Sequence, residues 1–321
     1  MTKLVSVAIP VRNGADVLEH TLAAVRAQLL DPPSSVELLV CDSASQDASV
    51  SIARASGAEV IEIPVERFSH GGTRNLLMRR AQGEHVAFLT QDAVPADPGW
   101  LARLLDGFAL APDVGLVYGP YRPRDDASPM VARELTEWFQ SFAPDGAPRI
   151  DRLDPSERTT PTSELEGIRA FFTDANGCVA RAAWEDVPFR EVAYAEDRVL
   201  ATDMLRAGYA KVYAPRASVI HSHDYSLVGW LRRSFDEARA LREVYGDVEA
   251  MDMRRNALLV WGNVGADLRW VRAHGGRDSP ALIASSLVHH LARTTGALLG
   301  AHSVALPRSV VRRMSLEGRG G

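Results

Sequence analysis

Apolar and polar positions alternate in blocks along residues 1–120. Short apolar runs predict buried strands, because a strand covered on both faces is apolar at nearly every position; they lie at 4–11, 36–41, 59–63, 85–89 and 114–118. The segments between these runs have helical spacing. In the first, apolar residues share one face after Asp16, a potential helix cap: Val17, Leu18, Leu22, Val25 and Leu29. Alternating strands and helices predict an α/β fold, with a mostly parallel sheet covered by helices on both faces.

The pattern changes twice after this part. Residues 121–170 are rich in Pro, Asp, Arg and Ser, with one predicted helix at 131–142, and we interpret them as an insertion over the active face. Strand-like order resumes at 171–180 and again at 211–221. From Ser226 the pattern is helical, and Ser279 with Pro280 opens a further helix. We therefore predict a main domain at 1–225 and a helical region at 226–321.

Composition narrows the possible classes of protein. The chain has 321 residues, of which 46% are hydrophobic and 24% charged, as in ordinary globular proteins. A formal net charge of −5 argues against general nucleic-acid binding, which needs a basic surface. The 2 cysteines imply no disulfide framework. No signal peptide or membrane-spanning run is evident, so we expect a cytoplasmic protein.

Polar clusters follow the predicted strands where ligands bind in open α/β sheets. They lie at 10–14, 42–45, 70–75 and 91–93. The Gly-x-Gly-x-x-Gly fingerprint of dinucleotide-binding domains is missing. A glycine-led helix start and Arg74 suit phosphate, and Asp42 suits a base edge or ribose. Each position also has an ordinary interpretation as a turn or solvated residue, but four such clusters at one edge favour a nucleoside diphosphate.

Asp92 is the most informative single residue, because it follows the apolar run 85–89 directly at the tip of a strand. A carboxylate there can hold a divalent cation, and the cation can hold a diphosphate. The alternative is that Asp92 only caps the turn before Pro95.

These motifs together resemble the family 2 inverting glycosyltransferases of the GT-A fold, a Rossmann-like architecture. The resemblance covers residues 4–240, and the runs 68–75 and 91–93 are more narrowly similar to rhamnosyltransferase-type members. It implies a donor-binding role for Pro10, Arg12, Asn13, Asp42, Ser43, Arg74, Gln91 and Asp92. One departure is that Thr90 replaces the first carboxylate of the usual Asp-x-Asp metal motif.

The second half of the chain supplies further candidates for a metal site. His221 and His223 occupy alternate positions of a predicted extended segment, so both can face one site. Imidazole suits Mn²⁺ better than Mg²⁺, and members of the resembled family often contribute a C-terminal histidine near the metal or diphosphate. The alternative is a pair of structural histidines at the solvent edge.

Glu196 and Asp197 open a predicted helix, where the helix dipole favours ionised carboxylates. Local chemistry alone also suits a helix cap. In the resembled family this pair carries the base, usually the aspartate, so we expect Asp197 to deprotonate the acceptor. The resemblance also implies that Asp174 and Asn176 contact the donor. Trp184 is a candidate for stacking on an acceptor sugar, although a core or edge role suits it equally.

The resemblance implies a metal-dependent, inverting hexosyltransferase that uses Mg²⁺ or Mn²⁺. The expected donor is a dTDP- or UDP-sugar, with L-rhamnose or a related deoxyhexose as the sugar, and the expected acceptor is a saccharide or glycolipid. The alternatives are a non-catalytic nucleotide-sugar-binding protein and a sugar nucleotidyltransferase. The helical region invites two further hypotheses: a homodimer, or weak peripheral contact with the inner face of the membrane through 302–313.

Overall fold

The computed structural model describes residues 3–31, 34–159, 169, 171–192, 194–246 and 253–315. The chain divides into two compact units. The sheet unit comprises residues 1–124 and 136–221, and the helical unit comprises residues 125–135 and 222–321. The predicted boundary fell at 225/226, and the insertion predicted at 121–170 contributes residues to both units.

Eleven strands occur among the described residues: β1 (Lys3–Val11), β2 (Ser34–Asp42), β3 (Glu59–Glu62), β4 (His85–Leu89), β5 (Val94–Pro95), β6 (Val114–Tyr118), β7 (Tyr121–Arg122), β8 (Arg149–Asp151), β9 (Asn176–Ala180), β10 (Ala210–Tyr213) and β11 (Val219–Ile220). Eight form one sheet in the order β3-β2-β1-β4-β9-β6-β10-β8. β5, β11 and β7 form a small second sheet in that order.

The predicted strand–helix alternation is present, and β1 pairs in parallel with β2 and β4, as do β2 with β3 and β6 with β10. β9 differs from the simple parallel pattern, because it runs antiparallel between β4 and β6. Its first residue pairs with the last residue of β4, Asn176 with Leu89. The segment before β9 therefore arrives at the same edge of the sheet as Asp92.

Seven α-helices begin among the described residues up to 207: α1 (Ala15–Arg26), α2 (Ser49–Ala55), α3 (His70–Arg80), α4 (Trp100–Phe108), α5 (Pro129–Gln140), α6 (Arg181–Asp186) and α7 (Glu196–Ala207). Two of them, α2 and α4, begin later than their sequence patterns predict. The second helix was expected at 45–47, but there the Asp47 carboxylate accepts from the backbone N–H of Ala15 and Ser49. The fourth was expected at Pro98, but Asp97 accepts from the backbone N–H of Gly99.

Four helices follow in the helical unit: α8 (Leu227–Tyr245), α9 (Met253–Ala273), α10 (Pro280–Ala301) and α11 (Arg308–Met314). α8 and α10 approach closely through two glycines of α10. A Cβ at Gly296 would lie 2.1 Å from the carbonyl oxygen of Leu231, and one at Gly300 would lie 2.2 Å from that of Phe235. Only glycine permits this packing. Among the described residues, no helix combines the length and apolar character needed to span a bilayer.

Asn176 ties the centre of the main sheet to a neighbouring helix and two loops. Its side chain is fully buried, accepts a hydrogen bond from the Trp100 indole at 2.7 Å, and donates to the carbonyl oxygens of Pro120 and Ala217 at 3.1 and 2.8 Å. Both N–H groups and the carbonyl oxygen of this amide therefore form hydrogen bonds within the protein.

We expect Asn176→Ala to lower the free energy of unfolding by about 2–4 kcal/mol, because it leaves a buried donor and two buried carbonyls without this partner. Urea denaturation of both proteins measures the difference. Gln82→Ala, at an exposed position, is the control and should change stability by less than about 0.5 kcal/mol. Equal stability of Asn176→Ala and wild type would show that water replaces the amide at no cost.

Candidate active site

The predicted site residues of the sheet unit gather mainly at one edge of the main sheet. Val11 and Asp42 are paired at the ends of β1 and β2, and Leu89 and Asn176 are paired at the meeting of β4 and β9. The small sheet adds to this edge, because β5 follows Asp92, β7 precedes Arg124 and β11 precedes His221. Because Asp92, Arg124 and His221 lie next to these short strands in the chain, the pairing of the strands fixes the backbone around them.

The backbone of the loop after β1 is hydrogen-bonded by side chains from neighbouring loops. The backbone N–H of Arg12 donates to Gln91 Oε1 at 2.9 Å, and that of Asn13 donates to Ser45 Oγ at 2.8 Å. Asn13 has a left-handed backbone (φ 48°) and accepts from the backbone N–H of Gln46. Gln91 thus supports the loop, and Arg12 and Asn13 are exposed. Pro10 lies in the ladder beside Cys41.

Asp42 and Ser43 form a buried polar pair at the end of β2. Asp42 is 1% exposed, and its Oδ1 accepts from the backbone N–H of Ser45 at 2.9 Å. Asp42 Oδ2 and Ser43 Oγ are buried and have no hydrogen-bond partner among the described residues. Since buried polar atoms are normally hydrogen-bonded, this pair fits the polar edge of a ligand or water.

Asp92 and His221 face each other across the small sheet. Asp92 Oδ2 lies 3.5 Å from His221 Nδ1, and both residues are largely buried. Arg124, which sequence analysis did not select, lies 3.9 Å from the same carboxylate oxygen and donates to the Asp92 carbonyl at 3.3 Å. A carboxylate oxygen opposite an imidazole nitrogen is a suitable donor pair for a Mn²⁺-type ion.

His223 belongs to the helical unit, whose second segment begins at residue 222. Within that unit its ring stacks on Tyr225, with centroids 5.4 Å apart. Its predicted role as a metal ligand stays a prediction.

Arg74 lies at the centre of a buried ion cluster. Its Nε is 2.7 Å from Asp174 Oδ2 and its Nη1 is 2.8 Å from Glu196 Oε1. The three residues are 2–6% exposed. Burial raises the pKa of Asp174 well above its usual value, and Arg74 opposes that rise. Because Arg74 is occupied by two carboxylates, the structure does not support the predicted phosphate contact, and we expect Arg74 to have a positioning role for Asp174 and Glu196.

The glycine-led start of α3 is also covered by protein. Ser69 caps the helix by accepting from the backbone N–H of Gly72 at 3.1 Å. A Cβ at Gly71 would lie 2.2 Å from the carbonyl oxygen of Arg190. The glycine therefore permits close backbone packing, and the helix start does not present its first turn freely to a phosphate.

Glu196 and Asp197 open α7 as predicted. The preceding Ala195 has a left-handed backbone (φ 61°), a conformation that is strained for alanine and is common near functional residues. Asp197 is partly buried, and its Oδ1 accepts from the backbone N–H of Arg198 at 2.8 Å. Burial and the Glu196 charge raise the pKa of Asp197 to about 6, while Arg198 and Arg74 oppose the rise.

Tyr121 and Thr173 connect the two ends of the site. The Tyr121 hydroxyl is hydrogen-bonded to Thr173 Oγ1, next to Asp174 in the chain. The Tyr121 ring meets the His221 ring edge-on, with centroids 4.9 Å apart. Neither residue was predicted, because Tyr121 opens a polar segment without a recognisable period and Thr173 belongs to no polar motif of its own. Tyr121 could have been selected from its position, because it lies just after a predicted buried strand.

Two predicted contacts are corrected by the structure. The Asn176 side chain is fully buried and makes three hydrogen bonds to the protein, so the structure does not support its predicted contact with the donor. Trp184 follows the end of β9 that pairs with His85, away from the edge that carries Asp92. Its indole donates to Asn75 Oδ1 at 2.8 Å. The structure therefore gives Trp184 a packing role rather than a place beside an acceptor.

The candidate site lies at the ends of strands in an α/β sheet, where proteins of this architecture bind their ligands. Comparison with known families identifies the chain: residues 6–170 match the model for "Glycosyl transferase family 2", and the chain belongs to that family. It is therefore a glycosyltransferase, which confirms the family resemblance.

Two named relatives span most of the chain. The "O-antigen chain rhamnosyltransferase RfbN" of Salmonella typhimurium is 28% identical over 97% of this chain and 94% of its own length. The "O-antigen chain rhamnosyltransferase WbaN" of Salmonella anatum is 28% identical over 87% of this chain and 84% of its own length.

The fold is similar to that of a mannosyltransferase from Pyrobaculum calidifontis, solved with GDP-Man and Mn²⁺. The TM-score is 0.59 at 21% identity, over 95% of this chain and 87% of that one. Staphylococcus aureus TarS (residues 1–349), solved with UDP, has a TM-score of 0.51 at 13% identity, over 94% and 92% of the two chains. These similarities confirm the predicted GT-A fold.

We expect Arg74→Met to destabilise the protein by about 3–5 kcal/mol at pH 8, because it leaves buried carboxylates without their cation. Denaturant unfolding at pH 8 and pH 5 measures the effect. Arg74 opposes the rise in the pKa of Asp174, so without Arg74 the folded-state pKa of Asp174 should rise further above the unfolded value. The cost should therefore be smaller at pH 5, where Asp174 takes up a proton, and largest at pH 8.

The control for this change is Arg190→Met. Arg190 pairs with Asp203 at 2.6 Å, but its side chain is 64% exposed, so its loss should cost at most about 1 kcal/mol. An equally small, pH-independent effect of Arg74→Met would contradict the positioning role.

Proposed function

We propose that this glycosyltransferase moves L-rhamnose or a related deoxyhexose from a nucleoside diphosphate to a hydroxyl of a saccharide or glycolipid, with inversion at the anomeric carbon. The names of its two relatives support this donor sugar and a role in O-antigen-type polysaccharide synthesis, because their similarity extends over most of both chains. A dTDP- or UDP-linked sugar is the proposed donor.

One observation carries the proposal: a continuous path of contacts runs through the sheet unit from Asp92 to Asp197. Asp92 faces His221, His221 meets Tyr121, and Tyr121 bonds to Thr173. The adjacent Asp174 is paired with Arg74, which holds Glu196 beside Asp197. This path supports a single site that holds a residue suited to the leaving diphosphate and one suited to the acceptor proton, as a single displacement requires.

The Asp92 end is the proposed place of the diphosphate. Asp92 and His221 are the proposed ligands of a divalent cation, with His223 as a further ligand suggested by its alternate spacing. When bound, Mn²⁺ or Mg²⁺ would supply positive charge against the leaving diphosphate. Arg124 adds a protein cation beside Asp92. Asp42 and Ser43 are proposed to hold the nucleoside, with Pro10, Arg12, Asn13 and Gln91 shaping its loop.

Asp197 is the proposed general base. It accepts the proton of the acceptor hydroxyl as that oxygen attacks the anomeric carbon. A base works best when its pKa is near the operating pH, and burial together with Glu196 brings the pKa of Asp197 to about 6. Glu196 is bound to Arg74 and is proposed to position Asp197 and tune its pKa rather than to take the proton.

We expect Asp197→Asn to lower turnover by about 10²–10⁴-fold, because it removes the proton acceptor while keeping the side-chain shape. Donor affinity should stay within about twofold, since the change acts on the transition state. Turnover of the wild type should fall as pH drops through about 6, where Asp197 becomes protonated. Initial rates across pH 5–9, with donor binding by calorimetry, measure both effects.

Asp203→Asn, on the same helix, is the matched control and should keep both turnover and its pH profile. If Asp197→Asn keeps near-normal transfer while Glu196→Gln loses it, the two roles are exchanged. If both variants stay active, Glu196 and Asp197 only open the helix.

The donor specificity and metal site are tested together by release of nucleoside diphosphate. With octyl glycosides as acceptors and Mn²⁺ present, dTDP-L-rhamnose should support faster release than UDP-glucose or GDP-mannose.

Asp92→Ala should weaken metal-dependent donor binding at least tenfold, about 1.4 kcal/mol, because it deletes the carboxylate opposite His221. Thermal shift with donor, with and without Mn²⁺, measures the binding.

Asp106→Asn, at an exposed position of α4, should behave as wild type. Unchanged metal dependence in Asp92→Ala would place the cation elsewhere. Donor binding without transfer to any acceptor would favour a non-catalytic binding protein, and release from UDP-glucose or GDP-mannose alone would overturn the rhamnosyl donor.

A further inference from the structure

The helical unit contains its own group of metal-ligating side chains. Glu134, in the part of α5 that belongs to this unit, lies against His289 and His290 of α10. One ligand atom from each of the three residues lies within 4.8 Å of the other two. We propose that Glu134, His289 and His290 form a zinc-type cation site in addition to the one at Asp92.

The distances are those of ligands rather than of hydrogen-bond partners. Glu134 Oε2 is 3.6 Å from His289 Nε2, and Glu134 Oε1 is 3.6 Å from His290 Nδ1. Both separations are too long for hydrogen bonds. Two ligands at about 2.0–2.2 Å from one tetrahedral ion are roughly 3.3–3.6 Å apart. Small side-chain movements would therefore bring these atoms onto one cation.

His289 contributes an unsatisfied nitrogen. The residue is 6% exposed, and its Nε2 is buried without a hydrogen-bond partner. A buried polar atom left in this state costs about 1–3 kcal/mol. The ring is held in place by edge contact with Trp230, with centroids 4.8 Å apart. Coordination would satisfy this nitrogen without moving the ring away from its neighbours.

His290 is oriented in the way that metal-binding histidines usually are. Its Nε2 lies 2.7 Å from Asp267 Oδ2, and the carboxylate also accepts from Ser286 and Arg133 at 2.5 Å each. The Asp267 carboxylate accepts a hydrogen bond from Nε2–H of His290, which leaves the Nδ1 lone pair towards Glu134. A carboxylate behind the histidine is the common outer partner in zinc sites.

Arg293 is the natural competitor for this cation. Its guanidinium is paired with Glu134 and lies 5.2 Å from the centre of the Trp230 ring. The Arg293 side chain is 34% exposed and has room to leave the carboxylate while staying near the indole. Two histidines and one carboxylate, with a position for water, are a ligand set typical of Zn²⁺.

The site is tested by equilibrium dialysis of metal-stripped full-length protein against Zn²⁺, in an Asp92→Asn/His221→Ala background that removes the other proposed site. We expect one Zn²⁺ per chain, and Co²⁺ should give the visible absorption of a four-coordinate ion. His289→Ala and His290→Ala should weaken binding at least tenfold. Asp267→Asn should weaken it about 10–100-fold through the orientation of His290.

Arg293→Gln gives the sharpest result, because it removes the competing cation but no ligand. Zinc binding should tighten at least threefold, whereas a cluster that serves only as a polar network would lose stability and gain no zinc. His274→Ala, an exposed histidine after α9, is the control and should change nothing. If His290→Ala does not fold, His289→Gln and Arg293→Gln decide alone. No zinc bound by the background protein, or equal binding by all variants, would overturn the proposal.

Discussion

The active-site geometry depends on one buried cation. Arg74 reaches Asp174 through Nε and Glu196 through Nη1, so a single planar guanidinium joins α3, the segment before β9 and the start of α7. Lysine has no such fork and could not hold two carboxylates in fixed directions. Since unpaired carboxylates strongly destabilise a protein interior, the two Arg74 ion pairs help to hold these three segments together.

The same cluster explains how neighbouring carboxylates acquire different properties. Glu196 and Asp197 are adjacent on a helix, so their side chains diverge by about 100°. Glu196 points to Arg74, whereas Asp197 accepts only a backbone N–H from Arg198 within the described hydrogen bonds. Glu196 shares the Arg74 charge with Asp174. The remaining negative charge of Glu196 adds to the effect of burial and raises the pKa of Asp197.

The parts of the fold that sequence predicts best are those determined by local pattern. The apolar runs ending before Asp42 and Asp92 became β2 and β4, because strands buried on both faces need no distant information to be recognised. The direction of β9 was not predictable, since it depends on where the chain returns after residues 121–170. Helix starts shifted where a side chain, such as that of Asp47, bonds the backbone of another loop.

The site residues, like the elements of the fold, were predicted well where local motifs determine them and poorly where distant residues do. Family membership and the Asp92 position follow from contiguous motifs, and the comparisons confirm the family. Arg74 was taken for a phosphate ligand because its partners lie 100 and 122 residues further along the chain, and its burial could not be seen from the motif around it. Asn176 was misassigned for the same reason: the indole and carbonyls that occupy its amide come from Trp100, Pro120 and Ala217.

The small sheet has a consequence for how the protein is made. Its middle strand, β11, pairs with both β5 and β7, although Val219 lies more than 90 residues after them. Pairing over such distances in the chain closes long loops and is slow. During synthesis, β5 and β7 leave the ribosome without the strand that joins them. Asp92 and Arg124 therefore acquire their final surroundings only after β11 emerges, later than the parallel core of β1–β4.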